Sequence, residues 1–173
     1  MKIAITGPES TGKTILASDL AEQFNTIWIP EYSRKYLEDT GSKYTFDDLE
    51  IIAREQEKTW TKVNNQDLVF FDTEFTVLKI WSEIKFGRVA PYIIDSLEKQ
   101  DFDHYFICDP KGIKWEDDPL REHPERREEF FELYLRVMNS NKRSYTVLSG
   151  NWDIRLNKAV SKVKELLSSE ISK

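Results

Sequence analysis

Cysteine is nearly missing: Cys108 stands alone in 173 residues. That excludes a disulfide scaffold and a multi-cysteine zinc cluster, and favours a reducing compartment. Histidine is almost as scarce, and His104 and His123 sit in no pattern that carries chemistry. No apolar run approaches the ~18 residues needed to cross a bilayer. Gly7 interrupts the N-terminal apolar stretch too early for a signal peptide. A cytoplasmic protein without a membrane partner is expected. Positive charge is not in excess either: 25 Lys and Arg face 31 Asp and Glu, a formal net charge of −6. This balance argues against nucleic acid as a partner. Repeats, low-complexity tracts and linkers are absent, and no motif specifies an oligomeric state. Residues 1–173 are therefore expected to form one domain, long enough to bury roughly two-thirds of its unfolded surface.

What is present is an alternation. β-rich runs at Lys2–Thr6, Thr26–Ile29, Leu68–Phe71, His104–Cys108 and Tyr145–Ser149 are separated by segments of helical periodicity. Leu16, Leu20 and Phe24 form one stripe; Leu49, Ile52, Ala53, Gln56, Trp60 and Val63 a second; Val77, Ile80, Trp81 and Ile84 a third, ended by Gly87. Leu156, Ala159, Val160, Val163, Leu166 and Leu167 form the last. Thr45 and Asp48 have the spacing of a capping box, and Pro124 is placed at the first position of a helix through Phe130 and Val137. The pattern predicts an α/β fold with helices on both faces of a five-stranded parallel sheet.

Gly7-Pro8-Glu9-Ser10-Thr11-Gly12-Lys13-Thr14 fits G-x-x-x-x-G-K-[ST] and lies between the first predicted strand and the first predicted helix, where a phosphate loop must lie. Glycines let backbone N–H groups curl around phosphates at a helix N-terminus. Lys13 supplies a mobile charge, and Thr14 a hydroxyl for Mg²⁺. The fold expected is thus a P-loop NTPase, a three-layer αβα sandwich with a mobile lid. ATP binding is assigned to Gly7, Glu9, Ser10, Thr11, Gly12, Lys13 and Thr14. Asp72, after four apolar residues, is the second metal-shell candidate. Asp109 precedes Pro110 and reads as a turn former. The [NT]-K-x-D signature of guanine-specific GTPases is missing, which points to ATP. The chain is too short for the extra helical domain of an assembly ATPase. A small P-loop phosphotransferase remains, and it needs an acceptor pocket, a base and arginines that close over the phosphate.

Glu31 follows the second strand, whose carboxyl end should lie beside the loop; it can accept a proton or orient a hydroxyl, or complement a helix dipole. Lys111–Arg127 has no periodicity and carries Arg121, Arg126 and Arg127, the composition of a lid over about 110–127, or of a solvated loop. Arg121 is the favoured catalytic arginine, and Arg126 is placed with the nucleotide. Tyr32, Tyr36, Trp60, Phe75, Trp81 and Tyr92 are the rings available for stacking. Trp60 and Trp81 lie on apolar helical faces, which reads as core; Tyr32 and Trp81 are carried as acceptor-binding candidates. An acceptor-binding helical region is expected over about 31–65.

The phosphate loop, Glu31-Tyr32-Ser33-Arg34 and Phe71-Asp72-Thr73-Glu74-Phe75 together resemble the ribosylnicotinamide kinase domain of NadR-type proteins. The likeness runs in order over almost the whole chain and includes Trp115-Glu116-Asp117-Asp118-Pro119-Leu120-Arg121. It implies transfer of the ATP γ-phosphate to the 5′-hydroxyl of nicotinamide riboside, giving nicotinamide mononucleotide. It also implies Glu31 and Arg34 facing the acceptor, Asp72 and Glu74 facing metal or ribose, and Arg121 facing the phosphates. NadR-type proteins join this kinase to a nucleotidyltransferase domain; with two histidines and no room for it, a stand-alone kinase is expected. One position departs: Pro30 stands where the family carries an aromatic residue.

Overall fold

In the computed structural model, residues 1–41, 43–63 and 66–171 are described. The end of the expected acceptor region, at residue 65, lies outside them, as do the last two residues. Five strands, β1 (Lys2–Thr6), β2 (Ile27–Ile29), β3 (Val69–Asp72), β4 (His104–Cys108) and β5 (Tyr145–Leu148), form one parallel sheet in the order β2-β3-β1-β4-β5. The register sets Ile5 of β1 against Asp72 on one side and Phe106 on the other. Crossovers lead away from central β1 in both directions, which opens a crevice at the strands' carboxyl ends.

Both faces are covered, so the strands are apolar on both sides. Ile3, Ile5, Phe70 and Phe106 point to one face. There they meet Leu16 and Leu20 of α1 (Lys13–Gln23) and Ala159 and Val163 of α7 (Trp152–Ile171). The alternate residues Ala4, Val69, Phe71, Tyr105 and Ile107 point to the other, against Ile80 of α4 (Phe75–Phe86) and Phe130, Tyr134 and Met138 of α6 (Arg127–Ser140). A third apolar cluster holds α3 (Phe46–Thr61) to α4 and to α5 (Pro91–Lys99). Residues of α2 (Tyr32–Thr40) pack at its edge.

The capping box forms: the Thr45 N–H donates to the Asp48 carboxylate at 2.6 Å. Gly87 ends α4 in the left-handed conformation, φ 65°. Several boundaries differ from the sequence reading. Strand β2 starts one residue later than expected, β5 ends one residue earlier, and β3 is shifted by one so that it includes Asp72 itself. Pro124 opens a 3-10 turn, Pro124–Arg126, and the α-helix starts only at Arg127. Helix α5, with Pro91 in its first turn, has no counterpart among the stripes read from the sequence.

Candidate active site

The phosphate loop joins β1 to α1. Gly7 has φ 130°, and a Cβ there would lie 2.8 Å from the Cys108 carbonyl oxygen on β4, so only glycine lets the loop approach the sheet this closely. Gly12, φ 81°, is the N-cap of α1 with no side-chain cap; the first N–H groups of the helix are left for a ligand. The Lys13 Nζ rests on the Pro8 carbonyl at 3.0 Å.

Asp72 brings the end of β3 to the loop. Its Oδ2 accepts from the Thr14 hydroxyl at 2.6 Å, while its Oδ1 is buried without a partner among the described residues. Burial, then the neighbouring Glu31 charge, pushes this carboxyl up to about 6. A hydroxyl beside a carboxylate with one unpartnered oxygen is a donor set that fits a hydrated Mg²⁺ held jointly with phosphates. Glu31 is the N-cap residue of α2, but its side chain does not cap the helix. Its carboxylate accepts from Ser33 Oγ at 2.5 Å and lines the same cavity as Asp72.

That cavity, about 470 Å³, runs from the phosphate loop to Trp81 and Ile84 of α4 and Tyr134 of α6. Residues 109–123 have no helix or strand and are fastened to the loop. Ser10 Oγ accepts from the Glu116 N–H at 2.8 Å, and Glu9 accepts from the N–H groups of Glu122 and His123 at 3.2 and 3.4 Å. Arg121 reaches Ser10 Oγ at 3.4 Å and donates to the Glu116 carbonyl at 2.7 Å. Asp118 ties this segment to α2 through Arg34 at 2.8 Å. Burial raises the Glu9 carboxyl, and the two N–H groups pull it back down.

Gly7, Glu9, Ser10, Thr11, Gly12, Lys13, Thr14, Glu31, Arg34, Asp72, Trp81 and Arg121 thus share one cavity. Three expected site residues lie outside it. Glu74 is buried beneath, where one carboxylate oxygen caps α4 by accepting from the Thr76 N–H and hydroxyl and from Gln100 at 2.7–2.8 Å. Thr73, in the left-handed conformation at φ 70°, turns the chain between Asp72 and Glu74. Tyr32 packs against Tyr36 in the α2–α5 cluster, ring centroids 6.4 Å apart; the next two residues, Ser33 and Arg34, line the cavity instead. Arg126 forms two hydrogen bonds to Glu129, at 2.8 and 2.7 Å, because the 3-10 turn aims it at the first turn of α6. Its neighbour Arg127 donates to the Ser10 carbonyl at 3.1 Å. Asp109 forms a turn, accepting from the Lys111 N–H at 2.8 Å. Trp60 is core, edge-on to Phe71, Phe75 and Phe102.

Sequence reasoning missed Arg155, Tyr134 and Trp152. Arg155, 1% exposed, donates to the carbonyls of Thr11 at 3.2 Å and Gly150 at 2.8 Å, and to that of Asp109. It clamps the loop to the ends of β4 and β5. Its only signal is a basic residue beside the apolar stripe of α7. Trp152 packs on Gly12, whose Cβ would lie 3.1 Å from the indole.

The chain is 25% identical over 177 residues to the trifunctional NAD biosynthesis/regulator protein NadR of Salmonella typhimurium, covering 97% of this chain and 43% of that protein. It spans less than half the length of the curated relatives it matches. A crystal structure of NadR protein in complex with NR superposes with a TM-score of 0.79 at 22% identity, over 95% of this chain and 50% of that one. Deoxyadenosine kinase from M. mycoides superposes at 0.72 and 17% identity, over 95% and 100%. The fold is therefore the parallel P-loop fold of these kinases. Among the described residues no helix is long and apolar enough to cross a membrane. A family model described as AAA domain matches residues 2–155, from β1 into α7, and with nine-tenths of its length inside that match the chain belongs to the AAA domain family.

Proposed function

We propose that this chain is a small-molecule kinase that transfers the γ-phosphate of Mg-ATP to the 5′-hydroxyl of nicotinamide riboside. The observation that carries the reading is a single cavity lined by the phosphate loop and by side chains of α2, α4 and α6, with Glu31 and Asp72 in the same lining. A nucleotide-binding module without an acceptor has no use for the part of that cavity walled by α2, α4 and α6. The NadR likeness over almost the whole chain and the NadR structure with NR, read here as nicotinamide riboside, support the choice of acceptor. So does charge: Glu31 to Lys58 holds eight acids and five bases, which favours a cationic pyridinium ring.

In this reading Lys13 leaves the Pro8 carbonyl for the phosphates, and backbone N–H groups of the loop and α1 hold their oxygens. Thr14 and Asp72 would hold Mg²⁺, which offsets phosphate charge when bound. Glu31 orients the acceptor hydroxyl and takes its proton. Arg121 reaches the transferring phosphate from the 110–127 segment, which excludes water. Of the 31–65 region, α2 meets the acceptor through Ser33, Arg34 and Leu37, and no described residue of α3 lines the cavity. A kinase for another nucleoside is the second reading. It is favoured by Pro30, which lines the cavity where the resemblance calls for an aromatic ring, and by the likeness to deoxyadenosine kinase.

ADP release from Mg-ATP with nicotinamide riboside, with deoxynucleosides and with no acceptor separates these readings. Nicotinamide riboside is expected to give the fastest rate; no rate above the acceptor-free control overturns the proposal. Lys13→Ala should reduce transfer by roughly 10²–10³-fold. Glu31→Gln should keep ATP binding and slow transfer by roughly 10²-fold; an unchanged rate returns Glu31 to a helix-start acid.

A further inference from the structure

Val77, Ile80 and Ile84 of α4 and Phe130 of α6 present carbon to the cavity, and one hydroxyl interrupts that wall. Tyr134 is 4% exposed, and its ring packs in the core cluster with Phe71 and Ile107. Its side chain lines the cavity, yet no described residue hydrogen-bonds the phenol. Tyr105, in the same cluster, has a hydroxyl sealed inside the protein without a partner among the described residues; the Tyr134 hydroxyl is not sealed in that way, and its residue is part of the cavity lining. The indole N–H of Trp81, on the same wall, already donates to Tyr44 at 2.5 Å. A phenylalanine would make the same ring contacts in this cluster, so packing does not account for a hydroxyl left free at the cavity. Burial and the charges of Glu74, Glu31 and Glu9 hold it protonated, so it is available as a donor.

Building on the kinase reading, we propose that Tyr134 determines acceptor specificity: its phenol donates a hydrogen bond to an exocyclic oxygen on the acceptor's planar ring, while the ring lies against the carbon surface of α4 and α6. For nicotinamide riboside that oxygen is the carboxamide's. Sites built to hydrogen-bond a substrate group discriminate strongly against the analogue that lacks it.

The test titrates nicotinamide riboside, and the pyridinium riboside without a carboxamide, into the unmodified protein and Tyr134→Phe by calorimetry, with thermal melts of both proteins. The variant should melt at the same temperature or higher. It should lose on the order of tenfold in affinity for nicotinamide riboside and nothing for the analogue. No loss, or an equal loss for both ligands, overturns the assignment and leaves the kinase reading standing. Failure of the unmodified protein to bind nicotinamide riboside while it still binds ATP overturns the choice of acceptor instead.

Discussion

His104 shows how a single buried side chain sets a pH limit on the fold. It is 1% exposed on β4, with one ring nitrogen 2.9 Å from Ser144 Oγ and the other 2.9 Å from Thr146 Oγ1. Burial, then Lys162, lowers its pKa from 6.5 to about 4, with Glu165 opposing. Above pH 6.5 the ring is neutral in both folded and unfolded chains. As pH falls from 6.5 to 4 the unfolded chain binds a proton that the folded chain refuses, and stability is lost. The loss from this residue should be on the order of 1–2 kcal/mol between pH 7 and pH 5. His104→Gln keeps one hydroxyl partner and should remove that increment; denaturant melts at both pH values would give it as a difference, and equal pH slopes would exclude it. At this scale the phosphate loop was legible before any coordinates, because its chemistry is local. The placement of Glu74 was not: its carboxylate is recruited to cap α4, a role open to any acid at a helix start.

The segment 109–123 works as an element without secondary structure, held by side chains. Asp118 bridges Arg34 of α2 at 2.8 Å and Arg121 at 3.8 Å, and those cations hold its carboxyl below the usual range. Glu122 adds a second tie, accepting from Lys85 of α4 at 2.7 Å and from the Tyr44 hydroxyl at 3.3 Å. Tyr44 in turn receives the Trp81 N–H, so the cavity wall and the covering segment share one hydrogen-bonded chain. Asp118→Ala should release the segment from α2, giving several-fold faster tryptic cleavage within 111–127 and a several-fold higher acceptor KM. Cleavage at the unmodified rate would mean that the Glu9, Ser10 and Glu122 contacts hold the segment without Asp118. The sequence marks this stretch by its lack of periodicity; which arginine turns inward depends on a 3-10 turn that Pro124 and Arg127 do not reveal.

Charge belongs to the whole molecule. The net −6 is uneven, with an excess of three acids between Glu31 and Lys58 and balance between Lys111 and Arg127. If that acidic region draws a cationic acceptor to the cavity, raising ionic strength from low to physiological should weaken nicotinamide riboside binding several-fold. A neutral nucleoside measured beside it should show a flat response, and equal responses would remove the electrostatic contribution.

The amino-acid sequence by itself determined the alternation of strands and helices, the parallel sheet and the phosphate loop, because period, capping and glycine placement act over a few residues. The strand positions, to within one residue, and the Thr45–Asp48 box follow from the same local physics. Only the tertiary structure decided that Arg155 clamps the loop from α7, that Arg127 rather than Arg126 bonds the phosphate loop, and that Tyr134 lines the cavity. The clamp and the cavity wall depend on which faces of distant elements meet, Arg155 and Thr11 being 144 positions apart, and the choice of arginine on a 3-10 turn; no apolar period in the sequence carries either.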